Sequence, residues 1–181
     1  EYSGAGVIFG VTGGVMEAAL RTVYHTLTGR EREAITFESV RGFEGVREAS
    51  VKMGDMTVNV AIAHGMKNAR VLLDEIRAGA SKYHFIEIMG CPGGCINGGG
   101  QPIVRPCFLP HEDRDILDTY RQKRARALYR EDERQVLRQS HNNPQVKQLY
   151  AEYLGEPNSH KAHHLLHTFY TPREKYSDPV I

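Results

Sequence analysis

Apolar and polar positions alternate over residues 46–53 and again over residues 57–63, with Gly54-Asp55 between them. A period of two over each run predicts a half-buried strand, and the turn between them predicts a hairpin over residues 46–63. His64-Gly65 breaks the pattern. Residues 67–77 then follow helical spacing, which assigns Val71, Leu72, Leu73 and Ile76 to an inner face and Gly79 to the helix end. Residues 84–88 form a short apolar run of strand type. Strand, helix and strand in this order predict a right-handed crossover in a mostly parallel sheet.

Upstream, residues 3–14 are glycine-rich with an apolar centre and run into residues 15–23, where strong helix formers recur at helical spacing. Thr12 or Gly13 is placed to cap that helix, and Thr28-Gly29-Arg30 to end it. Residues 37–42 are expected to form a short strand. Beyond Pro106 the pattern changes to polar, charged and helical, with expected helices at 112–128, 135–139, 144–154 and 159–168. Pro144 suits a first helical turn. The apolar stripes of these segments are too thin for a separate core, so the tail is expected to wrap a larger body.

The fold class expected from this order is α/β: a mostly parallel sheet with crossover helices, followed by an all-helical tail. The division is expected near residue 110, giving 1–110 and 111–181. A length of 181 residues suits one domain, or one domain with an appendage. The net charge of +1 argues against a nucleic-acid or anionic-membrane surface as main partner. No apolar run reaches the roughly 20 residues that span a bilayer, and no secretory leader pattern is present. Three cysteines, an odd number, fit a reducing, cytoplasmic compartment better than a disulfide framework. The abrupt opening at Glu1 gives the expectation of a fragment or a processed chain.

The chemistry concentrates in Cys91-Pro92-Gly93-Gly94-Cys95, followed by Gly98-Gly99-Gly100, at the end of the 84–88 run. Glycines beside a cysteine turn backbone N–H groups toward a sulfur, and a glycine run lets a bulky inorganic group approach the main chain. The same spacing also fits a plain turn, a redox pair or half of a zinc site. Two thiolates do not close a four-coordinate site, so further ligands must come from elsewhere. The glycine-rich opening offers a helix N-terminus to an anion. It lacks the ending of a Walker loop and the spacing of a dinucleotide fingerprint, and on these residues alone close helix packing through small residues is the favoured explanation. His160, His163, His164 and His167 share one helical face, which suits zinc or copper or a solvated tail. Cys107 is assigned to a small buried apolar position.

Read together, Gly10-Val11-Thr12-Gly13-Gly14-Val15-Met16-Glu17-Ala18-Ala19-Leu20-Arg21 and Cys91 to Pro102 resemble the catalytic domain of iron-only (FeFe-type) hydrogenases. Arg126-Ala127-Leu128-Tyr129, Ser140-His141-Asn142-Asn143-Pro144, Leu149-Tyr150 and Leu165-Leu166-His167-Thr168 are similar to that family's small-subunit domain. The resemblance implies reversible oxidation of hydrogen to protons and electrons at an H-cluster. This is a 4Fe–4S cubane joined to a two-iron centre that carries carbonyl, cyanide and a bridging dithiolate. It assigns Cys91 to the cubane and Cys95 both to the cubane and to the link between the cubane and the two-iron centre. It places Met89 beside the two-iron centre and Phe9, Gly13, Gly14 and Val15 along its carbonyl and cyanide side. It implies an electron partner, either ferredoxin or NAD(P)-linked subunits, and the remainder of a larger hydrogenase chain.

The family's two earlier cysteine signatures, with its proton-relay cysteine and cyanide-binding lysine, are not in this chain. No catalytic residue is therefore assigned within it, and the isolated chain is not expected to assemble the cluster. The alternative is a hydrogenase-like iron–sulfur assembly protein without hydrogenase activity.

Overall fold

A computed structural model describes residues 1–31, 36–103 and 114–171, with side chains left aside at 114–116. Two compact units divide between Asn143 and Pro144.

The first unit opens on a single helical turn, α1 (Gly4–Val7), capped by Ser3, whose hydroxyl accepts the Gly6 N–H. A 3-10 turn (Ile8–Gly10) leads into α2 (Gly14–Thr28). Gly13 at its N-cap and Gly29 at its C-cap both adopt the left-handed conformation, with φ of 88° and 65°. An L side chain pays a steric penalty there, so glycine at these two positions sets the helix limits.

Residues 37–42 do not form the expected strand. Glu38–Val40 is a 3-10 turn. This segment has no strand partner among the described residues, and turning it buries Val40 in the main core while the Val40 carbonyl accepts the Arg47 guanidinium. β1 (Val46–Met53) and β2 (Met56–His64) form the expected hairpin, antiparallel from Val46 opposite Ala63 to Met53 opposite Met56. After α3 (Met66–Arg77), β3 (Phe85–Met89) returns parallel to β2, with His64 opposite Met89. The sheet order is β1-β2-β3, so among the described residues one of its two pairings is parallel.

The α3 face is narrower than the hydrophobic pattern suggested. Leu72 and Ala69 are buried, whereas Val71, Leu73 and Ile76 are exposed. Consecutive residues on a helix lie about 100° apart, so Val71, Leu72 and Leu73 cannot share one face. Leu72 packs against Ala61 and Ala63 of β2. The main core lies on the other face of the sheet, where Met16 and Leu20 of α2 meet Val51, Met53, Val58, Val60 and Ile62.

α4 (Arg114–Arg134) runs six residues beyond its expected end at 128, because Ala125 and Tyr129 keep packing against the glycine-rich opening. Residues 135–139 are irregular rather than helical and lead to a 3-10 turn at Ser140–Asn142. The second unit holds α5 (Pro144–Leu149), a π-helical turn (Tyr150–Leu154) and α6 (His160–Leu166). The Ser159 hydroxyl caps α6 by accepting the Ala162 N–H. Cys107 lies outside the described residues. No described helix is long and apolar enough to cross a membrane.

Candidate metal centre at the end of the parallel strand

β3 delivers its last residue, Met89, next to the end of β2, and the chain then enters the cysteine loop. Cys91 and Cys95 are free thiols and both are exposed. The loop between them is held from three directions. The Gly93 N–H donates to His64 Nδ1 at 3.1 Å. The Gly93 carbonyl accepts the Thr12 N–H at 3.0 Å. Gly94, at φ 94°, lies so close to the opening segment that a Cβ would stand 2.7 Å from the Gly10 carbonyl oxygen and 2.8 Å from the Thr12 nitrogen. Two stretches some eighty residues apart in sequence thus meet backbone to backbone.

His64 must accept at Nδ1 to receive the Gly93 N–H, which places its proton on Nε2. Its environment favours that neutral ring. Burial pushes its pKa down, and the charges of Arg121 and Arg47 push it further in the same direction.

The helix N-terminus beside the loop carries its own anion. Glu87, buried in β3, accepts the Gly13 N–H through Oε1 and the Met16 N–H through Oε2, each at 2.6 Å. Burial raises the pKa of this carboxyl, while the two N–H groups and Arg47 oppose the rise. The free N–H donors that a glycine-rich helix start offers to an external anion are therefore met at Gly13 and Met16 from within the chain. Packing also accounts for the two glycines. A Cβ on Gly13 would strike the Val40 carbonyl oxygen, and one on Gly14 the Ile8 carbonyl oxygen.

The sequence-assigned positions fall around this loop unevenly. Gly13 and Gly14 are buried, Val15 and Met89 are half-buried, and Phe9 is 46 % exposed. On the far side, Gly98 and Gly99 line a cavity of about 300 Å³ together with Asn97, Gln101 and Arg124. Arg124 on α4 fastens the loop from below, donating to the Ile96 carbonyl at 2.9 Å and the Pro102 carbonyl at 2.7 Å. The four tail histidines do not gather. No three of them bring donor atoms within 4.8 Å of one another, and His163 stacks on His167 instead.

The structure adds Glu87, His64 and Thr12 to the site. Only Glu87 left a sequence trace, a carboxylate inside an apolar strand run. The Thr12 hydroxyl oxygen is fully buried and has no hydrogen-bond partner among the described residues.

The donor set suits an iron–sulfur group. It consists of two accessible sulfurs on a rigidly held loop. At Gly90, Gly99 and Gly100 a Cβ would meet nothing within 4 Å, so the protein leaves room there. Thiolate ligands with backbone N–H groups nearby are the usual setting of such clusters.

Comparison with known proteins agrees with this chemistry. Residues 1–99 match the family described as iron only hydrogenase large subunit, C-terminal domain, and residues 110–173 match iron hydrogenase small subunit. A subunit of an NADP-reducing hydrogenase from Solidesulfovibrio fructosivorans is 49 % identical over 96 % of this chain and 28 % of its own length. Iron hydrogenase 1 of Clostridium pasteurianum is 43 % identical over 94 % of this chain and 29 % of its own. A solved FeFe-hydrogenase of Chlamydomonas reinhardtii superposes with a TM-score of 0.64 at 40 % identity, covering 90 % of this chain and 45 % of that one. The chain thus spans under a third of the length of these two curated relatives.

Proposed function

This chain belongs to the iron-only hydrogenase family, through the C-terminal domain of the large subunit, and from that premise we propose that it supplies one wall of a hydrogenase active site. Residues 1–110 belong to the C-terminal lobe of the catalytic domain, and residues 111–181 to a small-subunit-like domain. The sheet's parallel majority belongs to the complete domain. The supporting observation is the pair of exposed, free thiols of Cys91 and Cys95 on a loop clamped by His64, Thr12 and Gly94.

In this reading Cys91 and Cys95 would hold an H-cluster, both as ligands of its cubane, with Cys95 on the side of the two-iron centre. When bound, the cluster with its carbonyl, cyanide and dithiolate ligands supplies the redox chemistry that interconverts hydrogen with protons and electrons. The chain's own part is ligation, positioning and exclusion of water. The Gly93 clamp fixes the direction of both sulfurs, since the loop cannot swing without breaking bonds to two different elements. Phe9, Val15 and Met89 would offer apolar surface to the two-iron side and help to keep water from it, while Gly13 and Gly14 let the helix start pack close to Val40 and Ile8. The electron partner of the complete protein would be a ferredoxin or an NAD(P)-linked subunit, in a cytoplasmic enzyme.

The test uses the full-length parent protein. Cys91→Ser and Cys95→Ser are each expected to lower iron content and abolish hydrogen turnover, with the infrared bands of metal-bound carbonyl and cyanide lost in step. Unchanged iron and turnover in either variant overturns the assignment. A parent protein that holds a cubane but never shows those bands is an iron–sulfur assembly protein instead. This chain carries only part of the cubane's thiolate set, so hydrogen evolution by it alone after reconstitution would also refute the reading.

A further inference from the structure

Away from the cysteine loop, three potential ligands converge at the C-terminal end of α2. His25 sits in the last turn of α2. The left-handed Gly29 that ends α2 reverses the chain and brings Glu31 back beside His25. His141, on the 3-10 turn Ser140–Asn142, reaches the same point from a segment 110 residues later. Glu31 Oε1 lies 3.2 Å from His25 Nδ1 and 3.1 Å from His141 Nε2. The two imidazoles stack with centroids 4.5 Å apart, and the three donor atoms all lie within 4.8 Å of one another.

Hydrogen bonding accounts for this cluster poorly. Asn142 Nδ2 also donates to Glu31 Oε1, at 3.1 Å. Three nitrogens then face one carboxylate oxygen, which has two lone pairs. The consequence is visible at His25 Nδ1, a buried atom with no hydrogen-bond partner among the described residues. A cation resolves the crowding, because both ring nitrogens then point lone pairs, not protons, at the common centre. Bonds of about 2.0–2.2 Å in a tetrahedron put neighbouring donors roughly 3.3–3.6 Å apart, a little beyond the two distances seen here. The remaining ring nitrogen of His141 is already arranged for that role. Its Nδ1 lies 3.1 Å from the Thr22 hydroxyl, the kind of outer contact that fixes the tautomer of a ligating histidine. The C-terminal end of a 15-residue helix further favours positive charge.

We propose that His25, Glu31 and His141 form a binding site for a divalent transition metal of the zinc class, with water in the open position. The site is separate from the cysteine loop. It staples the end of α2 to the Ser140–Asn142 turn, closing a loop that spans most of the first compact unit. Side chains exposed by 42 %, 46 % and 12 % leave the metal exchangeable from solvent.

The experiment equilibrates the anaerobic full-length parent protein with zinc chloride, removes excess metal, and counts zinc and iron in the same sample. The wild type is expected to hold one zinc more than Glu31→Gln or His141→Ala, with iron unchanged, and its zinc-edge X-ray absorption to show only nitrogen and oxygen neighbours. Zinc is also expected to raise the melting temperature of the wild type and not that of the variants. His25→Gln, at a half-exposed position, repeats the comparison if a change at 141 disturbs folding. Equal zinc in wild type and variants, or zinc bound solely through sulfur, overturns the proposal. Because iron is counted in parallel, failure here is distinguishable from failure of the cluster assignment.

Discussion

Glu87 and Gly13 meet across 74 positions of sequence, the carboxylate of one accepting the backbone N–H of the other at 2.6 Å. The second carboxylate oxygen takes the Met16 N–H. A strand interior and a helix start are thereby locked together beside the cysteine loop. Replacing Glu87 by Gln turns one acceptor into a donor that faces an N–H. A buried donor left unsatisfied costs about 1–3 kcal/mol, so denaturant unfolding of the Glu87→Gln parent protein is expected to show a loss of that size. An unchanged midpoint would show that the pair contributes nothing.

Asp132 joins α4 to α2 through a buried network. It accepts from Arg21 twice at 2.8 Å and from Arg138 at 2.7 Å, and Arg21 also reaches Glu17. Burial alone would raise the Asp132 pKa, but the hydrogen bonds and charges of Arg21 and Arg138 hold it below the usual carboxylate value of 3.8. A folded pKa lower than the unfolded one stabilises the fold above the unfolded value, and the stabilisation is lost as pH falls through the folded value. Asp132→Asn leaves buried guanidinium charge incompletely paired, which costs about 3–5 kcal/mol. Melting curves of wild type and variant are expected to differ fully at neutral pH and to converge in acid; a gap that persists at low pH contradicts the ion pair as its source.

Gly94 and Gly99 separate packing from room for a ligand. Alanine at Gly94 would be strained at φ 94° and would press on Gly10 and Thr12; backbone strain of this kind costs about 1–3 kcal/mol, and both stability and iron content are expected to fall. Alanine at Gly99 meets nothing within 4 Å. Gly99→Ala is expected to leave the melting temperature alone and to lower iron retention only. Parallel behaviour of the two variants in both measurements would remove the distinction.

His64 holds the loop through one acceptor atom. His64→Asn keeps an acceptor on a shorter side chain, whereas His64→Ala leaves the Gly93 N–H unpaired at a cost of about 1–3 kcal/mol. The alanine variant is expected to shift the infrared bands of the loaded parent protein and the asparagine variant to restore them in part. Identical spectra for wild type and His64→Ala would mean that the clamp has no influence on the centre.

Much of the chain was legible in one dimension. The hairpin of residues 46–63, the α2 helix with its glycine limits, and the cysteine loop at a strand end follow from side-chain period and local backbone preference. The failures were equally physical. Residues 37–42 have a strand-like composition, yet among the described residues no neighbouring strand supplies the hydrogen bonds, so they turn and bury Val40. Val71, Leu73 and Ile76 are apolar, yet in this chain only Leu72 of that run finds an interior.

Period, turn residues and the Cys91–Cys95 spacing are properties of neighbours along the chain, so the sequence determined most of the elements, the family and the place of the two thiols just after a strand. Glu87 under Gly13, His64 under Gly93, and His25 with Glu31 and His141 were decided only by tertiary structure. Buried polar groups need partners, and which distant group satisfies each one depends on how the sheet and helices pack.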